Sequence, residues 1–138
     1  MKIKILLLLC IATLGLASCK KETIVQEVTG KTYLLKIEPN QWVKSTDGTQ
    51  YSYTWNNSNL DKITLSDEGV LVYINHPADD AGDIQLPFVY NVDAYSYELF
   101  AGGIVFDIQS SDNQDTQAIR PTKTIYAKVV VIPSTVVN

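Results

Sequence analysis

Two apolar patterns divide the chain. From Ile5 to Ala17 apolar residues run almost without a break, whereas from Thr32 onward they tend to recur at every second position. Period two is the mark of a half-buried strand, because successive side chains on a pleated strand point to opposite faces. In "KTYLLKIEP" Tyr33, Leu35 and Ile37 face one way and Leu34, Lys36 and Glu38 the other, and Pro39, which has no N–H for a ladder, closes the strand. "QWVKSTDGTQYSYTW" predicts a strand end near Trp42 and Val43, a turn at Asp47-Gly48 and a strand from Gln50 to Trp55. Asp-Gly between apolar-bearing runs is a strong hairpin signal, since glycine accepts positive φ at little cost. In "NNSNLDKITLSDEG" Leu60, Ile63 and Leu65 fit either one helical turn or a crossing between sheets.

"GVLVYIN", 69 to 75, is almost continuously apolar and β-branched, which predicts a central strand covered on both faces. "HPADDAGD" is a turn-rich loop, and "IQLPFVY" predicts one strand that Pro87 confines to an edge or a bulge. "AYSYELF" and "GGIVFDIQ" predict a hairpin across Ala101 to Gly103, with Ile104, Phe106 and Ile108 inward and Val105, Asp107 and Gln109 outward. "SSDNQDTQAIRP" is the next loop, and "TKTIYAKVVVIP", 122 to 133, the last strand, ended by Pro133. Seven or eight short strands at this spacing, with no convincing amphipathic helix after residue 18, predict an all-β fold: a single β-sandwich over 31–138, with a small barrel as the alternative. The tripeptide "YSY" at 51–53 and 95–97 reflects composition more than a repeat.

The first pattern is of another kind. Lys2 and Lys4 precede the apolar run, and the small residues Ala17 and Ser18 follow it, which is the layout of a secretory signal peptide. The 13 residues from Ile5 to Ala17 would reach about 20 Å as a helix, short of a hydrocarbon core of about 30 Å. Leu16-Ala17-Ser18-Cys19 resembles the lipobox of bacterial lipoproteins. That resemblance implies cleavage before Cys19 and acylation of its sulfur and new amino terminus, giving an anchor through Cys19 with two or three chains, where one alone binds a membrane only marginally. The alternatives are an unmodified Cys19 beside an ordinary cleavage site, or a short buried helix. The expected organisation is 1–18 leader, 19–30 lipidated cysteine and polar tether, and 31–138 domain, with Cys10 lost and Cys19 blocked, so that no disulfide forms. Lys20 in place of aspartate implies the outer membrane under lipoprotein sorting rules, and "CKKE" resembles the surface-export signals of Bacteroidota lipoproteins; the periplasmic and surface faces both stay open.

Losing Lys2 and Lys4 takes the basic count from 11 to 9 against 15 acidic residues, a formal balance of −6. A negative field with no basic stripe excludes nucleic acid as a partner. His76 is the only histidine. Zinc of the usual kind needs three or four His, Cys or carboxylate ligands, and a Ser-His-Asp triad would have to use a histidine that precedes Pro77, with no G-x-S-x-G present. Asp79, Asp80, Asp83 and Asn75 cluster in one loop and Asp112, Asn113 and Asp115 in another. Hard oxygen donors of this kind suit calcium, but the EF-hand spacing is missing and aspartate is also a common turn former. Glu98 and Asp107 are acids set inside strands, both on outward faces and with nothing marking either as perturbed. No cofactor motif appears, and none is expected. Tyr51, Tyr53 and Trp55, at i, i+2 and i+4, line one face of a strand: exposed, they form a candidate ligand platform for a glycan or protein partner; buried, a core layer.

From Thr32 to Pro133 the order of Asn40-Gln41-Trp42, Gly69-Val70-Leu71-Val72-Tyr73, Leu86-Pro87 and Lys128-Val129-Val130-Val131-Ile132-Pro133 resembles a group of small uncharacterised Bacteroidota lipoproteins, whose β-rich domain also ends some collagen-like chains. The resemblance implies a β-sandwich and an envelope address, and no activity. The expected function is a membrane-anchored, non-enzymatic binding or assembly module of the cell envelope, including strand addition by the apolar segment 124–132. The alternative is a hydrolase acting on envelope glycan or peptide.

Overall fold

A computed structural model describes residues 29–78, 82–111 and 117–137. Among them are nine strands, one short helix and one 3₁₀ turn: β1 (Lys31–Ile37), the turn Pro39–Gln41, β2 (Val43–Lys44), β3 (Gln50–Asn56), α1 (Lys62–Asp67), β4 (Gly69–Asn75), β5 (Asp83–Gln85), β6 (Phe88–Tyr90), β7 (Asp93–Phe100), β8 (Gly103–Ser110) and β9 (Ile125–Ile132). They form two antiparallel sheets, a first in the order β1-β9-β4-β5 and a second in the order β2-β3-β8-β7-β6. The architecture is the all-β sandwich that the alternation predicts.

Period two explains the layers. In β1 Ile37 is fully buried while Leu34 is 80% exposed, and in β8 Ile104, Phe106 and Ile108 all point into the core. Val72 and Ile74 of β4 and Ala127, Val129 and Val131 of β9 meet them from the first sheet. Tyr97 ties the layers by donating its hydroxyl to the Val70 carbonyl at 3.1 Å. Trp42, on the crossover after β1, is buried and packs against Tyr53 with ring centres 6.2 Å apart.

Three expectations need correction. "IQLPFVY" is two strands: Pro87 cannot continue a ladder, so β5 ends on the edge of the first sheet and β6 begins on the edge of the second, with the Leu86–Pro87 peptide cis and Leu86 buried between them. β4 is interior to its sheet but covered on one face only. Two layers leave the far side of each sheet to solvent, and there Leu71 and Tyr73 are half-buried, Tyr73 beneath the Lys128 ammonium at 4.9 Å. Third, β9 lies between β1 and β4 with both of its edges paired, so segment 124–132 cannot add to a partner's sheet while this fold holds.

The stretch after β3 both turns helically and crosses between sheets. Asp61 caps α1 by accepting from the Thr64 amide at 2.9 Å, and Leu60 is fully buried whereas Ile63 is 67% exposed. Leu60 O accepts from Gly102 N at 2.7 Å, fastening this crossing to the β7–β8 turn.

The registers define two ends. Lys31, Gly69 and Ile132 lie together at one, the N-terminal end, with Asn56 and Gly103 of the second sheet. Ile37, Asn75 and Ile125 mark the far end, with Gln50, Asp93 and Ser110 opposite. Strands of seven to eight residues at about 3.3 Å each separate the ends by roughly 25 Å.

Candidate binding cavity at the far end

Cys19 lies outside the described residues, as do Asp79, Asp80, Asp112, Asn113 and Asp115 of the two acidic loops. The two described members of the first loop are engaged. Asp83 pairs with Lys128, and the Asn75 side chain accepts from the Tyr126 amide at 2.7 Å. Among the described residues no group of three or more His, Cys, Asp or Glu side chains is arranged to hold a metal ion.

His76 sits where β4 leaves its sheet. Its Nδ1 accepts from the Ala78 amide at 3.1 Å, its own amide donates to the Gly82 carbonyl at 3.0 Å, and its ring meets Tyr90 edge-on at 4.9 Å. The two hydrogen bonds close the loop on itself, and the ring contact with Tyr90 ties that loop of the first sheet to an edge strand of the second. Tyr51, Tyr53 and Trp55 share the inward face of β3. Their half-buried rings pack against the core, Trp55 on Tyr33 at 5.3 Å and Tyr53 on Phe106 at 6.1 Å, in the arrangement of a core layer.

The outward face of the second sheet holds a group whose burial the sequence pattern does not reveal. Asp107 faces away from the core, as expected, yet is only 7% exposed. It stands opposite Ser52 on β3 and Ser96 on β7, and Gln50 Nε2 donates to its Oδ1 at 2.5 Å. Burial pushes its carboxyl above the ordinary carboxylate range; the Gln50 bond opposes this and the negative charge of Glu98 adds to it. The one sequence signal for this is position: an acid in the middle of an interior strand, between Phe106 and Ile108.

A cavity of about 170 Å³ opens at the far end between the sheets. Asn75 and Pro77 line it from the end of β4, Asp93 and Tyr95 from the start of β7, and Ile119 to Ile125 from the segment leading into β9. Arg120 and Lys123 bring two cations, and among the described residues neither makes an ion pair. Tyr95 is buried, stacked on Phe88 at 5.0 Å, and its hydroxyl is pushed up to about 12 by burial, with the charge of Asp93 and then Tyr90 adding. An apolar floor with a few polar and charged groups is the usual build of a small-ligand site. Nothing in the sequence foretells it, because its residues lie up to 50 positions apart, from Asn75 to Ile125, and meet only through the sheet registers.

No family model, curated protein or solved structure matches this chain.

Proposed function

We propose that this protein is a lipid-anchored module of the cell envelope, tethered through Cys19, that binds a ligand or partner without catalysing a reaction. The observation carrying this reading is Leu16-Ala17-Ser18-Cys19, set directly after a basic-then-apolar leader and 12 residues ahead of β1. Two or three acyl chains on Cys19 hold a protein to a bilayer where one does not. Residues 19–30 span up to about 40 Å when extended, enough to lift the sandwich clear of lipid headgroups. The chain joins the fold at Lys31, at the end opposite the cavity. The tether therefore enters the sandwich at the end away from the cavity and leaves the cavity unobstructed by the anchor.

Metabolic labelling with a clickable palmitate analogue tests the anchor. The parent chain is expected to take up label and to stay with the membrane fraction; equal labelling and retention of the Cys19→Ala variant would overturn it.

A hydrolase of envelope glycan or peptide is the second reading, favoured by the buried Asp107 with Glu98 beside it in charge. Such a pair can divide acid and base roles. Turnover of cell-wall glycan or peptide fragments by the parent chain, lost in Asp107→Asn, would establish that reading over the first.

A further inference from the structure

The far-end cavity has three properties that together select a ligand. Its volume, about 170 Å³, is close to the roughly 150 Å³ that holds one benzene, so it seats the core of a single ring whose substituents reach out to the open rim, as the terminal unit of a larger molecule would. It gathers Arg120 and Lys123 on a chain whose residues 19–138 are net acidic. Arg120 is the only arginine among all 138 residues. Of the cationic side chains, only the planar guanidinium presents parallel donors matching a carboxylate or phosphate fork.

The third property is Asp93, an acid lining the same space. An ionised carboxylate only accepts hydrogen bonds. Phosphate or sulfate, carrying more negative charge and few or no donors, is therefore disfavoured by it, and so is a simple aromatic acid. A ligand with one negative charge at one position and hydroxyl donors at others suits both ends of the site. The Thr122 hydroxyl and the apolar surfaces of Pro77, Ile119 and Pro121 complete walls suited to the mixed polar and C–H faces of a sugar.

We infer that this cavity binds a terminal hexuronic acid, its carboxylate held by Arg120 and Lys123 and its hydroxyls donating toward Asp93. The inference rests on the binding-module reading and names its ligand class. With one ring engaged and the cations at an exposed rim, the expected affinity is modest, with Kd on the order of 1 mM.

The single arginine supplies the test. Its Nε–Hε group gives one NMR signal with no overlap from other arginines, observable in the full chain in detergent micelles. Methyl β-D-glucuronide is expected to move that signal saturably, with methyl glucoside and acetate each at least about tenfold weaker, because each lacks one half of the recognition. Arg120→Gln, at an exposed position, is expected to keep the amide spectrum of the parent and to weaken glucuronide binding about tenfold or more by saturation-transfer NMR. No saturable shift up to about 20 mM glucuronide, or shifts of equal strength with glucoside or acetate, would overturn the inference. Glucuronide binding that leaves the Arg120 signal unmoved would overturn this site while sparing the binding-module reading. Failure of the Cys19 labelling would remove the anchor and leave this result untouched.

Discussion

Asp107 costs the fold stability at neutral pH. Its folded carboxyl titrates above the ordinary value because it is buried, so folding favours the protonated form. The stabilising effect of that proton is complete below the unfolded pKa of about 3.9 and is lost as pH rises through the folded value. Asp107→Asn keeps an acceptor for Gln50 and removes the charge. It is expected to raise the melting temperature by a few degrees at pH 7 and to change it little near pH 3, as differential scanning calorimetry would record. Gly103 is constrained by space. A methyl group there would run into the Trp55 carbonyl oxygen and lie 2.7 Å from Phe100, whereas Gly82 has nothing within 4 Å. Gly103→Ala should cost about 1–3 kcal/mol or more, while Gly82→Ala should stay within about 0.5 kcal/mol, both read from denaturant midpoints.

Alternation is the part of the fold that can be read directly from residues. In β1 every second side chain turns inward, so Ile37→Ala is expected to lose about 2–5 kcal/mol and Leu34→Ala less than about 0.5 kcal/mol in the same chemical unfolding experiment. The Asp47-Gly48 turn is equally local. Gly48 takes φ of 78°, and Asp47 accepts from the Ser45 hydroxyl at 2.6 Å and from the Thr49 amide and hydroxyl at 3.1 and 2.9 Å. These bonds hold its carboxyl at about 2, led by the Ser45 hydroxyl. The turn should keep its form above the ordinary carboxylate range and loosen as pH falls toward about 2. An NMR titration of the Asp47 side-chain carbon would follow it, and a midpoint near 3.8 would contradict it. Elements whose identity depends on distant partners are harder to read. Whether "IQLPFVY" is one strand or two depends on which sheet receives each half, and β9 reads like any exposed apolar strand until β1 and β4 are set on either side of it. Asp107 has an outward position that the pattern gives correctly, but its burial comes from neighbours on two other strands. The cavity is illegible for the same reason: its walls come from three separate stretches of chain.

The whole molecule is held by a contact between its ends. Strand β9 carries Ile125, Val129 and Val131 into the core. At about 1.5–3 kcal/mol for each buried side chain, these three weigh as much as the net stability of an ordinary domain, roughly 5–15 kcal/mol. A chain stopped after Thr124 should therefore show no cooperative thermal transition by circular dichroism, and a sharp transition in that truncated chain would contradict the reading of β9 as the keystone of the first sheet. The order of pairing has a consequence in time. β1 is made well before β9, its hydrogen-bonding neighbour, with almost ninety residues between Ile37 and Ile125. A polypeptide appearing residue by residue, from a ribosome or through a pore, holds β1 without its mate until β9 arrives. Closure of the first sheet is thereby deferred by the wiring of the chain itself until β9 has emerged, while the second sheet has all its strands by Ser110.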